Sequence, residues 1–188
     1  LWKEDIMKRN NRIRRACVGL FEAWALHDAE EYLTMAPTSR EVFSGLPEQL
    51  PIPEEFRERG ISQVHVNLAM SAMGAVVAAS AASGVRSGGR STLFRGGLLA
   101  FGLHGFTHIA SCLVAGRYTT GVVTSPLVVI PYWLWARRVL KRHGIRPEDP
   151  KAVVTALAVF PALAGIHALV RKILGEGSLG PEISGTAV

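Results

Sequence analysis

The sequence predicts an all-α integral membrane protein, a bundle of about five transmembrane helices, and three observations carry that reading. Hydrophobic residues make up 48% of the 188 and charged residues only 19%, with a mean hydropathy of +0.23. This is more apolar than a soluble domain of this length needs. Five stretches reach the roughly 20 apolar residues that cross a hydrocarbon core about 30 Å thick; they lie near 13–35, 62–84, 93–116, 119–139 and 151–172. The charges fall in short clusters between these stretches, as they do in multi-pass proteins.

The first stretch follows the charged segment LWKEDIMKRNNRIRR and is the least hydrophobic, carrying Glu22, His27, Asp28, Glu30 and Glu31. No small-residue cleavage site follows it, so it reads as an uncleaved helix. The chain begins with Leu, and Met7 is one candidate start. Next comes PTSREVFSGLPEQLPIPEEFRERG, whose four prolines and mixed charges oppose a continuous helix and predict an ordered surface loop or interfacial cap. The second membrane stretch is rich in Ala, Gly and Ser, and its small residues Gly74, Ala78 and Ala82 would let a neighbouring helix come close. A basic turn around Ser87 to Arg90 leads to the third stretch, Arg117 marks the tight connection to the fourth, and the basic ARRVLKRHGIRPEDPK leads to the fifth. Residues 1–175 thus form one membrane-embedded domain, and 176–188, lacking apolar periodicity, read as a mobile tail.

Fifteen of the 21 Lys and Arg residues fall on one side of this five-helix arrangement. Because cytoplasmic loops carry the excess, the N-terminus is expected in the cytoplasm of a cell-membrane protein and the Pro-rich loop outside. The net charge of +6 does not come as a basic stripe interleaved with aromatics, so no nucleic-acid partner is expected. The expected partners are membrane lipid and a small apolar ligand. Cys17 and Cys112 lack CxxC spacing and read as buried small hydrophobes.

The polar residues inside the membrane carry the functional signal. His27, Glu30 and Glu31 stand at i, i+3 and i+4 and share one helix face, with Asp28 pointing elsewhere. His104 and His108 have the i, i+4 spacing that aims two imidazoles at one point. His167 lies in the fifth stretch, and His65 and Asn67 near the outer end of the second. Counted inward from Met35 and Gly116, His27 and His108 each lie about 12 Å deep at 1.5 Å per residue, which puts the polar pocket in the outer half of the bilayer. An ionisable residue at the bilayer centre costs about 2.5–3.5 kcal/mol on insertion scales, so such residues are usually paired, cavity-lining or functional. A metal ion, or a protonated His beside a carboxylate, would remove that cost.

At HDAEE the chain resembles the HXXEE family, small multi-pass membrane proteins named for that motif and without an assigned activity. The resemblance extends over the body of the chain. It places the motif on His27, Glu30 and Glu31, a further family histidine on His108, and a YxPG site on Tyr118, Thr119, Thr120 and Gly121. Thr120 stands where that pattern has Pro, while Gly121 keeps a flexible backbone position and Tyr118 a hydroxyl at the interface.

Three functions compete. The first is a metal-dependent enzyme acting on a small or lipid-like substrate, with His27, Glu30, Glu31, His104, His108 and His167 as candidate ligands for Zn or Fe. His27, Glu30, Glu31 and Tyr118 are its candidate catalytic residues, the last through the resemblance alone. Imidazole and carboxylate ligands projecting into a helix bundle are an established way to build such a centre. The second is a metal-free acid/base isomerase or cyclase using the same groups. The third is a transporter, sensor or accessory subunit, although five helices without a repeat are few for an alternating-access carrier. GGRSTLFRGG lacks the order of a phosphate-binding loop and reads as a basic turn.

Overall fold

The computed structural model describes residues 2–49 and 52–176, and among these it is helical with no strand. The helices are α1 (Trp2–Ser44), α2 (Glu54–Arg59), α3 (Gln63–Arg86), α4 (Thr92–Ala115), α5 (Ile130–Arg142) and α6 (Pro150–Leu174), with a π-helical segment, Ser125–Val129, running into α5. Three of them, α3, α4 and α6, are long and apolar enough to cross a membrane. The first and fourth stretches differ for physical reasons. Helix α1 carries charges along its length, and α5 is a short helix ending in basic residues. The expected tail splits: Glu176 is part of the fold, whereas 177–188 lie outside the described residues.

Helix α1 is longer than its apolar stretch, continuing through Pro37 to Ser44, so the non-helical loop or cap expected from Pro37 begins only after Ser44. Pro removes one backbone donor and does not forbid a helix that is anchored on both sides. Here the Thr34 and Thr38 hydroxyls bond back to the carbonyls of Glu30 and Thr34 at 2.7 Å each. The rest of the Pro-rich segment folds into a cap. The Arg57 guanidinium donates to the carbonyls of Phe43, Leu46 and Pro47. The Ile61 N–H donates to Ser39 Oγ at 2.9 Å. Gly60, at φ +73°, passes so close to that hydroxyl that a Cβ would lie 2.3 Å from it. Phe56, Ile61 and Val66 form a small apolar cluster under the cap, packed against Met35 and Met70.

The main core joins Cys17, Leu20 and Ala23 of α1 to Phe94, Leu98 and Phe101 of α4 and to Ala136 and Leu140 of α5. The small-residue stripe of α3 is not the expected one. Gly74, Ala81 and Gly84 are buried, while Ala78 and Ala82 are exposed. Spacing by four drifts around a helix of 3.6 residues per turn, whereas steps of seven and three stay on one face. These glycines admit aromatic rings: a Cβ on Gly74 would lie 2.7 Å from the Trp24 ring, and one on Gly84 2.6 Å from Phe94.

At the opposite end from the cap, Ser91 and Asp149 cap α4 and α6 through side-chain bonds to Phe94 N and Ala152 N. Arg95 pairs with Asp149, and Arg137 with Glu148. The Ala152 N–H, and then the Arg95 guanidinium, hold the Asp149 carboxyl below its ordinary value.

Candidate metal centre

Helices α1 and α4 run side by side in the same direction, which brings their polar turns to one level. His27 and Glu31 of α1 and His104 and His108 of α4 each offer one ligand atom, and those atoms lie within 4.8 Å of one another. His27 is fully buried and Glu31 is 5% exposed. Two of the atoms are conspicuous in this setting: His27 Nε2 and Glu31 Oε1 are buried without a hydrogen-bond partner. Glu31 Oε1 lies 3.2 Å from His108 Nε2, and His27 Nε2 lies 4.0 Å from Glu31 Oε2. His104 Nε2 and His108 Nε2 face each other at 2.8 Å. Buried polar atoms are nearly always satisfied, and a convergence of imidazole nitrogens and carboxylate oxygens is the donor set that Zn and Fe prefer.

Glu30, also a candidate ligand, stands outside this group of four. Its two oxygens accept four hydrogen bonds from the turn that precedes the π segment. Oε1 takes the Tyr118 hydroxyl at 2.6 Å and the Val123 N–H at 3.2 Å. Oε2 takes the Thr124 N–H at 2.8 Å and the Thr124 hydroxyl at 2.6 Å. Four donors on one carboxyl group suit an ionised carboxylate, which only accepts.

That arrangement fixes the tautomer of His27. The Thr124 hydroxyl has one proton and gives it to Glu30, so its contact with His27 Nδ1, at 2.8 Å, must be one in which the ring N–H donates. The lone pair of a neutral His27 is therefore on Nε2, the buried atom facing Glu31. His108 is arranged in the same way. Its Nε2 faces His104 and Glu31, which leaves Nδ1 for the hydrogen bond to the Thr120 backbone. A polar partner on the far nitrogen is what orients metal-binding histidines. The proton shared between His104 and His108 would have to leave on binding, since a ligating nitrogen gives up its proton.

The Tyr118–Gly121 site acts through its backbone as much as its side chains. Gly121 adopts φ +75°, and a Cβ there would lie 2.8 Å from both the His27 and the His108 ring. Only glycine combines that conformation with so close an approach. The turn forms with Thr120 in place of Pro, its hydroxyl bonded to that of Thr34 at 2.8 Å.

His167, another candidate ligand, also stands outside the four-residue group. Its Nδ1 lies 2.9 Å from His65 Nε2, and His65 Nδ1 lies 2.5 Å from Glu176 Oε2. The Ser62 hydroxyl donates to the other Glu176 oxygen at 2.8 Å. Glu176, His65 and His167 thus form a short hydrogen-bonded series ending at His167.

The two polar sets border one cavity of about 150 Å³ between α1, α3, α4 and α6. Glu31, Asp28, His104 and His167 line it, and the rest of its wall is almost wholly apolar. Asp28 was expected to point elsewhere; it shares with Leu20, Trp24, Glu31 and Met35 the face of α1 that turns to the cavity. The i, i+3 relation of Asp28 to Glu31 was the available signal. Thr124 and Glu176 carried no such signal, since each acts on a helix far away in the chain.

No curated protein and no solved structure matches the chain. A family model described as "Protein of unknown function with HXXEE motif" matches residues 18–136. That span is more than half of the chain and holds His27, Glu30, Glu31, His104, His108, Tyr118 and Gly121, so the chain belongs to the HXXEE-motif family of unknown function.

Proposed function

We propose that this protein is a metal-dependent membrane enzyme whose centre is held by His27, Glu31, His104 and His108 and whose substrate is a small or lipid-like molecule bound in the adjoining cavity. The observation that carries the reading is the pair of buried, unpartnered atoms His27 Nε2 and Glu31 Oε1 at the focus of the four side chains. Leaving a buried polar atom unsatisfied costs about 1–3 kcal/mol, a cost that a bound cation would remove. When bound, a Zn or Fe ion would supply Lewis-acid polarisation or an activated water. The chain's own residues divide the remaining work. Glu30 and Thr124 hold the His27 ring, Tyr118 fixes Glu30, Asp28 is the carboxylate free of the ligand set that can take a proton in the cavity, and the apolar walls keep bulk water out.

We further place the protein in the cell membrane as a five-crossing bundle with a cytoplasmic N-terminus and the pocket in its outer half. The 15-to-6 division of Lys and Arg supports this orientation, as does the cap whose apolar cluster meets the cavity at Met35 and Met70. A second reading, a metal-free acid/base isomerase or cyclase, draws on the Glu176–His65–His167 series, which ends at the cavity wall. Elemental analysis of protein purified without chelator separates the two. The proposal expects about one Zn or Fe per chain, falling below roughly a tenth in His27→Ala and His108→Ala, as loss of a ligand requires. Metal-free wild-type protein that also refuses added Zn²⁺ and Fe²⁺ would leave the acid/base reading.

A further inference from the structure

The cavity is walled by α1, α3, α4 and α6, and its wall is closed on some sides and open on another. The α1 residues that line it, from Leu20 to Met35, are buried or half-buried, and so are Val66, Ala69 and Met70 of α3 and His167 of α6, near the cap. Among the lining residues only Val76 of α3, Leu93 of α4 and Phe160 of α6 are exposed, at 44%, 42% and 38%. A residue that faces a cavity and the outside at once marks where the two meet. None of the three has a polar side chain.

The packing of α6 accounts for the opening. The end near Pro150 is fixed on α4: Ala152 and Ala156 are buried, and a Cβ on Gly96 would lie 2.5 Å from Thr155. The other end is fixed on α3, through the His65–His167 contact and the Ser62–Glu176 hydrogen bond, with Val170 buried beside them in sequence. Between these ends none of residues 157–166 is buried, and a Cβ on Gly165 would meet nothing within 4 Å. A helix held at its ends makes a wall one side chain deep, here Val159, Phe160 and Leu163. Pro161 takes one hydrogen bond out of the helix at this point.

Helices α3, α4 and α6, which carry the three exposed residues, are also the helices long and apolar enough to cross a membrane, so in a bilayer the opening faces hydrocarbon. The approach from the cap is covered: Phe56, Ile61 and Val66 close over Met35 and Met70, and Arg57 ties the segment down through three carbonyls. A molecule already dissolved in the hydrocarbon phase reaches the apolar wall without displacing the cap. We propose that the cavity opens sideways into the bilayer between α3 and α6, at Val76 and Phe160, and that its ligand is a water-insoluble molecule that enters from the hydrocarbon phase through this opening. This rests on the reading of the cavity as the substrate site and is independent of the metal and its ligands.

The test is photolabelling of the full-length protein in phosphatidylcholine nanodiscs, read residue by residue by mass spectrometry. One reagent is 3-trifluoromethyl-3-phenyldiazirine, which dissolves in the lipid, and the other a ring-sulfonated derivative, which stays in water. Exposed Leu33 and Leu157 report on the outer surface, and buried Leu20 and Ala69 on the cavity wall. The lipid-dissolved reagent is expected to label both sets, and the sulfonate to leave the wall unlabelled. Val76→Trp and Phe160→Trp each put a larger ring at the rim, and either is expected to abolish labelling of Leu20 and Ala69 while Leu33 stays labelled; with two variants, poor folding of one leaves the other to be read. Leu20 and Ala69 that stay unlabelled beside a labelled Leu33 overturn the opening. Labelling of the wall by the sulfonate overturns entry from the lipid, and labelling that neither variant reduces overturns the place of the opening between α3 and α6. Metal content of the same samples keeps the outcomes distinct: an unlabelled wall in a metal-loaded protein refutes this inference alone, and a labelled wall in a metal-refusing protein refutes the metal reading alone.

Discussion

Glu30 and Glu31 are neighbours in sequence and differ in every physical respect. Successive residues on a helix are about 100° apart, so the two carboxyl groups of the motif face different partners. Glu31 faces His27 and His108, whereas Glu30 faces the turn that holds Thr124. Glu31→Gln should therefore remove a ligand, while Glu30→Gln should leave the ligands in place and release the His27 ring from its fixed tautomer. In a competition titration with a chromophoric chelator, Glu30→Gln is expected to weaken metal binding by roughly 10- to 100-fold, the usual effect of losing an outer partner. An unchanged affinity would remove Glu30 from the centre altogether. Gly121→Ala tests the backbone side of the same site. Positive φ and the 2.8 Å approach to two histidine rings together predict a loss of about 1–3 kcal/mol, read as a lowered thermal midpoint, together with weaker metal binding. Of these roles, the sequence made His27, Glu31, His104 and His108 legible through i, i+4 spacing. It could not show which donors occupy Glu30, because they come from a turn about ninety residues later in the chain.

At the scale of the elements, apolar length and helix length come apart. Helices α3, α4 and α6 match the predicted stretches within two residues at each end, and in the structure the side chains of Ser62, Ser91 and Asp149 cap their starts. Helix α1 overruns its stretch because the cap packs on it as far as Ser44. The fourth stretch opens in the turn and the π segment because its residues answer to Glu30 and to the histidine rings rather than to helix propensity. Asp149 gives a prediction that belongs to this scale. Its carboxyl is held below the ordinary value, about 3.9 in unfolded chains, so its stabilising contribution is present above that value and is lost as pH falls through the lower folded value. The difference in thermal midpoint between wild type and Asp149→Asn should be constant near neutrality and shrink only below about pH 4. A difference that closes between about pH 5 and 7, above the ordinary carboxylate value, would contradict the assignment of this cap.

For the whole molecule, the composition pointed to helices in a membrane, and three helices of the bundle have the length and apolarity to cross one. What composition could not convey is how the charged helix α1 fits among them. It lays one face, Leu20, Trp24, Asp28, Glu31 and Met35, against the cavity, and offers Glu30 to the turn before α5. The bundle thus gives Glu30, His65, His167 and Glu176 hydrogen-bond partners from distant parts of the chain. The span matched by the family model, residues 18–136, includes His27, Glu31, His104, His108 and the turn that holds Gly121, while His167 and Glu176 lie beyond it. X-ray absorption at the metal edge of the Zn- or Fe-loaded protein tests that central claim most directly. The account predicts a shell with three imidazole ligands and a carboxylate oxygen, reduced by one imidazole in His104→Ala and unaltered in ligand type by His167→Ala. A shell without imidazole, or one that His27→Ala and His108→Ala leave unchanged, would contradict it.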